Sequence, residues 1–232
     1  QSCWAFSFSS LLEISAEKQQ GKRAKEYSPM HLEYMTAKMF NRTKGSGAGP
    51  RLSTAYAVSG NGPVEESKLP FESVYSEQND VGIFKEVTLS QLQQPVDARI
   101  RQTREFPTIY KKMNADEDGI DYYKQDIKED KYKYTEEEIK VARNLIKQHI
   151  KTYGAVSANI YMDTNYLAQT GAYHYNDYNN KKNSNHVVTI IGWNDEYSIE
   201  NYKEGAGPSE DGAYIALNSY GEDWGDAGYM YI

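Results

Sequence analysis

The 232-residue chain has a single cysteine, Cys3, so it can form no disulfide within itself and must be held by core packing and hydrogen bonds. It has no apolar run near the ~18–20 residues that a membrane-crossing helix needs. Basic residues do not dominate: 26 Lys and Arg face 33 Asp and Glu, a net charge of −7 with no basic stripe. That balance argues against a nucleic-acid partner, because phosphate binding relies on clustered Lys and Arg. Histidine is scarce as well, with four in all, which keeps the search for an acid–base group short. The nearest approach to a metal motif is Asn114-Ala115-Asp116-Glu117-Asp118-Gly119, which imitates the opening of a calcium loop. Its twelfth position is Gln125 where a bidentate Glu belongs, so neither metal nor cofactor is expected. What is abundant is tyrosine, 21 residues, many in Tyr/Asn/Asp loops that suit contact surfaces and amphipathic packing equally.

The lone cysteine lies where a helix begins. After Cys3, apolar residues recur at Trp4, Phe8, Leu11, Leu12 and Ala16, the three-and-four spacing of one buried helix face that closes near Gly21. The free N–H groups and positive dipole end of a first helical turn favour a thiolate over a thiol. Among the histidines, His31 follows a helix start built from Ser28 and Pro29, His149 falls on a helix, and His174 in a Tyr/Asn-rich loop. His186 differs. It opens the β-branched run Val187-Val188-Thr189-Ile190-Ile191 that ends in Gly192-Trp193, which places it at the lip of a core strand.

Three segments in order, Cys3-Trp4-Ala5-Phe6-Ser7, Asn185-His186-Val187-Val188…Gly192-Trp193 and Asn218-Ser219-Tyr220-Gly221…Trp224-Gly225…Gly228-Tyr229, resemble the active-site motifs of the papain family of cysteine proteases. Gly60-Asn61-Gly62-Pro63-Val64-Glu65-Glu66-Ser67 and Thr170-Gly171-Ala172-Tyr173-His174-Tyr175 are similar to segments of bacterial members from Firmicutes, many of them secreted or held at the cell surface. The resemblance implies Cys3 as nucleophile, His186 as acid and base, and Asn218 as the group that orients His186 without adding charge. Trp224 would then cover the Asn–His bond, with plain core packing as its alternative, and Trp4 would support the cysteine. Gly45-Ser46-Gly47-Ala48-Gly49-Pro50 resembles the glycine stretch whose backbone pairs with an extended substrate, the pairing residue being either Ala48 or Gly49. By the same resemblance Pro50, Asn159 and Asn185 border the pocket for the second substrate residue, which two asparagines would make more polar than usual.

The expected fold class is α+β, a papain-like two-lobed fold with the active-site cleft between a helical N-terminal lobe and an antiparallel β-sheet C-terminal lobe. Residues 1–74 form the helical lobe with the nucleophile, 75–134 an elaborated connection, and 135–232 the β-rich lobe with His186 and Asn218. Helices are expected over 28–40 and 51–60, and another after the capping box that starts at Thr135, with Ile139, Ala142, Leu145, Ile146 and Ile150 inward and Gly154 at its end. Strands are expected at 155–162, 187–193, 213–218 and 228–232. The family's oxyanion glutamine is expected upstream, since Gln1 stands two residues before Cys3 where glycine is usual, and the domain reads as truncated at both ends. A pro-segment upstream, a protein or peptide substrate, and a secreted or cell-surface location complete what the resemblance implies. The activity expected is endopeptidase action. Gln1, Tyr220 and Val187 replace the commoner Gly, Trp and Ala, which leaves room for an inactive homologue serving as a binding module, and the same dyad also serves aminopeptidases and transpeptidases. Because Cys3 has no partner thiol in the chain, dithiothreitol should raise turnover and leave the melting temperature of the monomer unchanged. A large fall in melting temperature would reveal an intermolecular bridge.

Overall fold

The computed structural model describes residues 2–78, 81–100, 102–106, 136–176 and 182–232. Helix α1 spans Cys3–Gln20 and ends on Gly21, whose φ of 65° gives the left-handed cap that glycine adopts without strain. It buries Trp4, Ala5 and Phe8, whereas Leu11, Leu12 and Ala16 are only half-buried. Helix α2, Pro29–Met39, starts as its sequence predicts: the Ser28 hydroxyl accepts the His31 N–H at 3.0 Å and Pro29 fills the first turn. Eight of its residues, Pro29 to Thr36, are buried, so α2 is a central helix of this half, and Met39 at its end is exposed. Helix α3, Pro50–Val58, completes the half, with Tyr56 packed edge-on to Phe8 at 6.5 Å.

His31 is fully buried here. Its Nε2 lies 2.8 Å from the Leu92 carbonyl and its Nδ1 2.6 Å from the Tyr56 hydroxyl. A carbonyl can only accept, so Nε2 carries the proton and the Tyr56 hydroxyl donates to Nδ1, a neutral imidazole with both nitrogens satisfied. A short helix, α4, Phe71–Val74, ends the helical segment, and the connection opens with a hairpin of β1, Tyr75–Gln78, and β2, Val81–Phe84, which the charge-rich sequence had not signalled. The hairpin follows its aromatic side chains: Tyr75 stacks on Phe71 at 4.7 Å and meets Phe84 edge-on at 5.3 Å, which fixes the ribbon against the helical core. A one-turn helix, α5, Leu89–Leu92, follows with a Thr88–Gln91 capping box. The calcium-loop imitation at 114–119 and the cap at Thr135 lie outside the described residues.

Helix α6, Glu136–Tyr153, turns Ile139, Ala142, Ile146 and Ile150 inward, while Leu145 is 39% exposed. Gly154 ends it with φ 97°, and a Cβ there would come within 2.8 Å of the Ile14 side chain of α1, so glycine lets the two helices meet. Four strands then form one antiparallel sheet in chain order: β3 Val156–Ile160, β4 His186–Asn194, β5 Ala213–Leu217 and β6 Tyr229–Tyr231. Alternation along β4 divides its side chains. Val187 joins the helical core around Trp4, Phe8 and Leu32, and Val188 and Ile190 join Ile146, Ile150, Ala216 and Met230 in a second core.

The two halves are joined where α1 lies along β4. Ser7, one helical turn after Cys3, donates its hydroxyl to the Val188 carbonyl at 3.0 Å and lies 2.8 Å from Ser157 Oγ and 2.9 Å from Thr189 Oγ1. Thr189 in turn hydrogen-bonds the Ser7 carbonyl at 3.1 Å. Ser7 and Thr189 are buried, so each hydroxyl must be partnered and the seam tolerates little sliding.

Midway along α1, Glu13 accepts the Tyr27 N–H at 2.7 Å. Burial, seconded by the neighbouring Glu26 and Glu66, pushes its carboxyl up from 4.5 to about 7. A folded-state pKa above the unfolded one gives a contribution that is complete below pH 4.5 and is lost as pH rises through 7. His31 works in the opposite direction, since burial lowers its pKa and its contribution fades as pH falls below 6.5. Glu13→Gln keeps an acceptor for Tyr27 and cannot ionise. It should melt higher than the parent at pH 8 and at the same temperature at pH 4, as read by calorimetry.

Candidate active site

His186 is the first residue of β4, paired with Ile160 of β3, and is 5% exposed. Its Nε2 lies 2.7 Å from Asn218 Oδ1. The same oxygen accepts the Ser219 N–H at 2.8 Å, and an amide oxygen cannot donate, so Nε2 carries a proton. Asn218 directly follows β5, where its own N–H donates to the Gly228 carbonyl at 2.9 Å. Two adjacent strand ends thus present the imidazole and its partner side by side.

The ring that lies on the imidazole is Tyr220, stacked at 5.0 Å and 25°, and Trp224 meets Tyr220 edge-on at 5.3 Å. Trp224, the residue expected as cover, thus reaches this ring pair through its contact with Tyr220. Tyr220 had stood out in the sequence only as a departure from tryptophan. Cys3 is half-buried as the first residue of α1, at the end of the helix that lies on β4. The Tyr220 hydroxyl is pushed up by burial and then by the charge of Cys3. One aromatic ring therefore neighbours the imidazole by stacking and the thiol through its field. Burial lowers the His186 pKa, and the bond from Asn218 opposes that shift.

Trp4 is 2% exposed, and its indole N–H donates to the Ser46 carbonyl at 3.2 Å, which ties the residue beside Cys3 to the glycine-rich loop. In that loop Gly47 is exposed, Ala48 packs against the helical core, and Gly49 is extended, with φ −100° and ψ 174°, before Pro50 opens α3. Asn159 lies exposed on β3 opposite Val187. Asn185 is occupied: its Oδ1 accepts the Met162 N–H at 2.7 Å and its Nδ2 donates to the Met162 carbonyl at 2.9 Å. The remaining histidines are engaged in packing: His149 lies between Phe106 and Tyr153, and His174 Nδ1 is 2.8 Å from the Ala206 carbonyl. Among the described residues no group of three or more His, Cys, Asp or Glu is placed to hold a metal, and no helix is long and apolar enough to cross a membrane.

Comparison with known proteins bears on this geometry. The family model described as papain family cysteine protease matches residues 1–232. A structure of the cysteine protease and lectin-like domains of Cwp84, a surface layer associated protein of Clostridium difficile, superposes with a TM-score of 0.63 at 20% identity, covering 100% of this chain and 43% of that one. The proform of the ragweed pollen allergen Amb a 11 gives a TM-score of 0.60 at 16% identity, over 99% of this chain and 52% of that one. Inhibitor-bound bromelain from Ananas comosus gives 0.58 at 16%, over 99% and 78%. The chain spans about half the length of the clostridial structures it matches. No curated protein sequence matches it significantly.

The geometry around His186 fixes a sign that NMR can read. In a Cys3→Ala variant, which removes the coupled thiol, the imidazole should titrate below the ordinary 6.5, because burial is the larger influence. Adding Asn218→Ala removes the bond that supports the imidazolium, and the midpoint should fall further. A midpoint that rises on losing Asn218 would contradict the bond.

Proposed function

The chain belongs to the papain family of cysteine proteases, and on that premise we propose that it is an endopeptidase acting through Cys3, His186 and Asn218. The observation that carries this reading is the buried 2.7 Å bond between His186 and Asn218 at the head of β4, the strand whose Val188 and Thr189 hydrogen-bond Ser7, one turn after Cys3 on α1. Because Nε2–H is committed to Asn218, Nδ1 is the nitrogen left to exchange a proton with the Cys3 thiol. The thiol proton passes to Nδ1, and the thiolate attacks the scissile carbonyl carbon. As the C–N bond breaks, Nδ1–H protonates the departing amine and leaves a thioester on Cys3. Water then gives a proton to Nδ1 and attacks the thioester, the S–C bond breaks, and the acid product leaves with the thiolate restored.

Substrate would lie along Gly47, Ala48 and Gly49. The Gly49 carbonyl already accepts the Leu52 N–H at 3.1 Å at the head of α3, which favours Ala48 as the residue whose backbone pairs with the substrate. Of the two asparagines assigned to the pocket beside Pro50, Asn185 has its amide committed to Met162, so Asn159 supplies the polarity there. The domain division, with 1–74 bearing the nucleophile, 75–134 connecting and 135–232 bearing His186 and Asn218, belongs to the same proposal. So do a pro-segment, seen in the proform neighbour, and a secreted or cell-surface location, which the surface-layer association of Cwp84 supports.

Labelling with an epoxysuccinyl inhibitor followed by peptide mapping should modify Cys3. Cys3→Ala and His186→Ala should each abolish turnover, and the double variant should be no worse than either, since the two act as a unit. Asn218→Ala leaves an imidazole free to turn and should cost less than the roughly 10²–10⁴ that general acid–base catalysis supplies. Mass-spectrometric mapping of a long peptide should give internal cuts. Stepwise loss of N-terminal residues, or ligation, would replace this reading with an aminopeptidase or a transpeptidase, and an unreactive thiol in folded protein would replace it with a binding module.

A further inference from the structure

Three side chains from separate places converge on the backbone of three consecutive residues of the glycine-rich loop. The Glu33 carboxylate, on the buried stretch of α2, accepts the Gly45 N–H at 2.6 Å. Arg42 donates through Nη2 to the Ser46 carbonyl at 3.0 Å and to the Gly47 carbonyl at 3.1 Å. Trp4, beside Cys3, donates to the same Ser46 carbonyl, and the Arg42 guanidinium lies over the Trp4 ring, 5.2 Å from its centroid. Gly45 itself has φ 76°, and a Cβ there would meet the Phe84 ring at 2.7 Å, so shape as well as these bonds fixes the turn.

Glu33 is an expensive residue to keep as mere packing. It is 0% exposed, its Oε2 has no hydrogen-bond partner, and burial raises its carboxyl pKa, with the Gly45 N–H and the nearby Arg42 charge opposing the rise. An apolar side chain would fill the same volume without desolvating a carboxylate. What a carboxylate adds is an acceptor aimed at one loop amide, while Arg42 supplies donors aimed at the next two carbonyls. With the Gly45 amide and the Ser46 and Gly47 carbonyls held by these bonds, the backbone at Ala48 and Gly49 is kept in a single place, with Ala48 packed on the helical core and Gly49 exposed, and Trp4 ties that place to Cys3.

We propose that Glu33 and Arg42 are positioning residues for substrate binding, holding the loop at 45–49 at a fixed distance from Cys3 so that its backbone can pair with an extended peptide. The proposal rests on the reading of this loop as the substrate edge, and it concerns residues that no motif of the chain singles out. Neither side chain touches the reacting atoms. Their loss should therefore weaken the grip on long substrates and spare the chemistry of the thiol.

Two measurements test this on the full chain. Amide hydrogen exchange at Gly45–Gly49 needs no catalysis, and Arg42→Ala and Glu33→Leu should each accelerate it while amides of α1 keep their protection. In turnover assays both variants should raise KM for peptides that reach the loop by about tenfold, the scale of one hydrogen bond to a charged group, with kcat nearly unchanged. The rate of Cys3 alkylation by iodoacetamide, and its pH profile, should stay at the parent values. Glu33→Gln keeps an acceptor for the Gly45 N–H and should restore both exchange and KM relative to Glu33→Leu. Parental exchange in the loop of Arg42→Ala and Glu33→Leu would overturn the positioning role whatever the activity. Faster exchange with no change in KM would keep the brace and instead remove the loop from the substrate edge, a failure of the proposed substrate site that is distinguishable from failure of the brace.

Discussion

The site depends on the seam between α1 and β4, where buried hydroxyls take the place of a purely apolar contact. Ser7 and Thr189 satisfy each other, Ser157 and two backbone carbonyls within a space that excludes water. An apolar seam would tolerate a shift of an ångström at small cost, because dispersion is not directional. A partnered hydroxyl does not, since sliding would orphan several polar groups at once. Cys3 lies one turn before Ser7, and His186 lies three residues before Thr189. The register of the hydroxyls therefore sets the register of thiol and imidazole, which belong to different halves of the molecule.

The parts of this arrangement with local causes were legible in the sequence. Helix α1 and its glycine cap, the Ser28–Pro29 start of α2, the inward face of α6 and all four strands of the larger sheet follow from periodicity and capping residues. His186 at the head of a β-branched run also falls where that run predicts. What was not legible depends on partners distant in sequence. The β1–β2 hairpin has little alternation of its own and forms because Tyr75 packs between Phe71 and Phe84, stacked on one and edge-on to the other. Glu33 and Arg42 look like surface charges until Gly45, Ser46 and Gly47 are brought beside them. Ser7 and Thr189 look like polar interruptions of apolar faces, and only their mutual approach across 182 positions explains them.

Tyr220 shows how a residue can keep a place while changing its chemistry. A planar ring can stack on His186 whether it is indole or phenol. The phenol, however, is half exposed and carries a hydroxyl whose ionisation is opposed both by burial and by the cysteine. Trp224 meets Tyr220 edge-on, so the indole packs on the phenol ring that lies on the imidazole.

Strand β4 belongs to two cores at once, with Val187 in the helical one and Val188 and Ile190 in the other. Neither half can melt while the other keeps its packing, because opening either exposes a face of the same strand and breaks the Ser7 seam. Such coupling suppresses partial opening and leaves complete unfolding as the main route by which backbone becomes accessible. For a protein proposed to cut extended peptides in trans, this has a protective value. Neighbouring copies in a concentrated solution find few loosened segments to thread into their clefts, and self-digestion is limited by how seldom the whole chain opens.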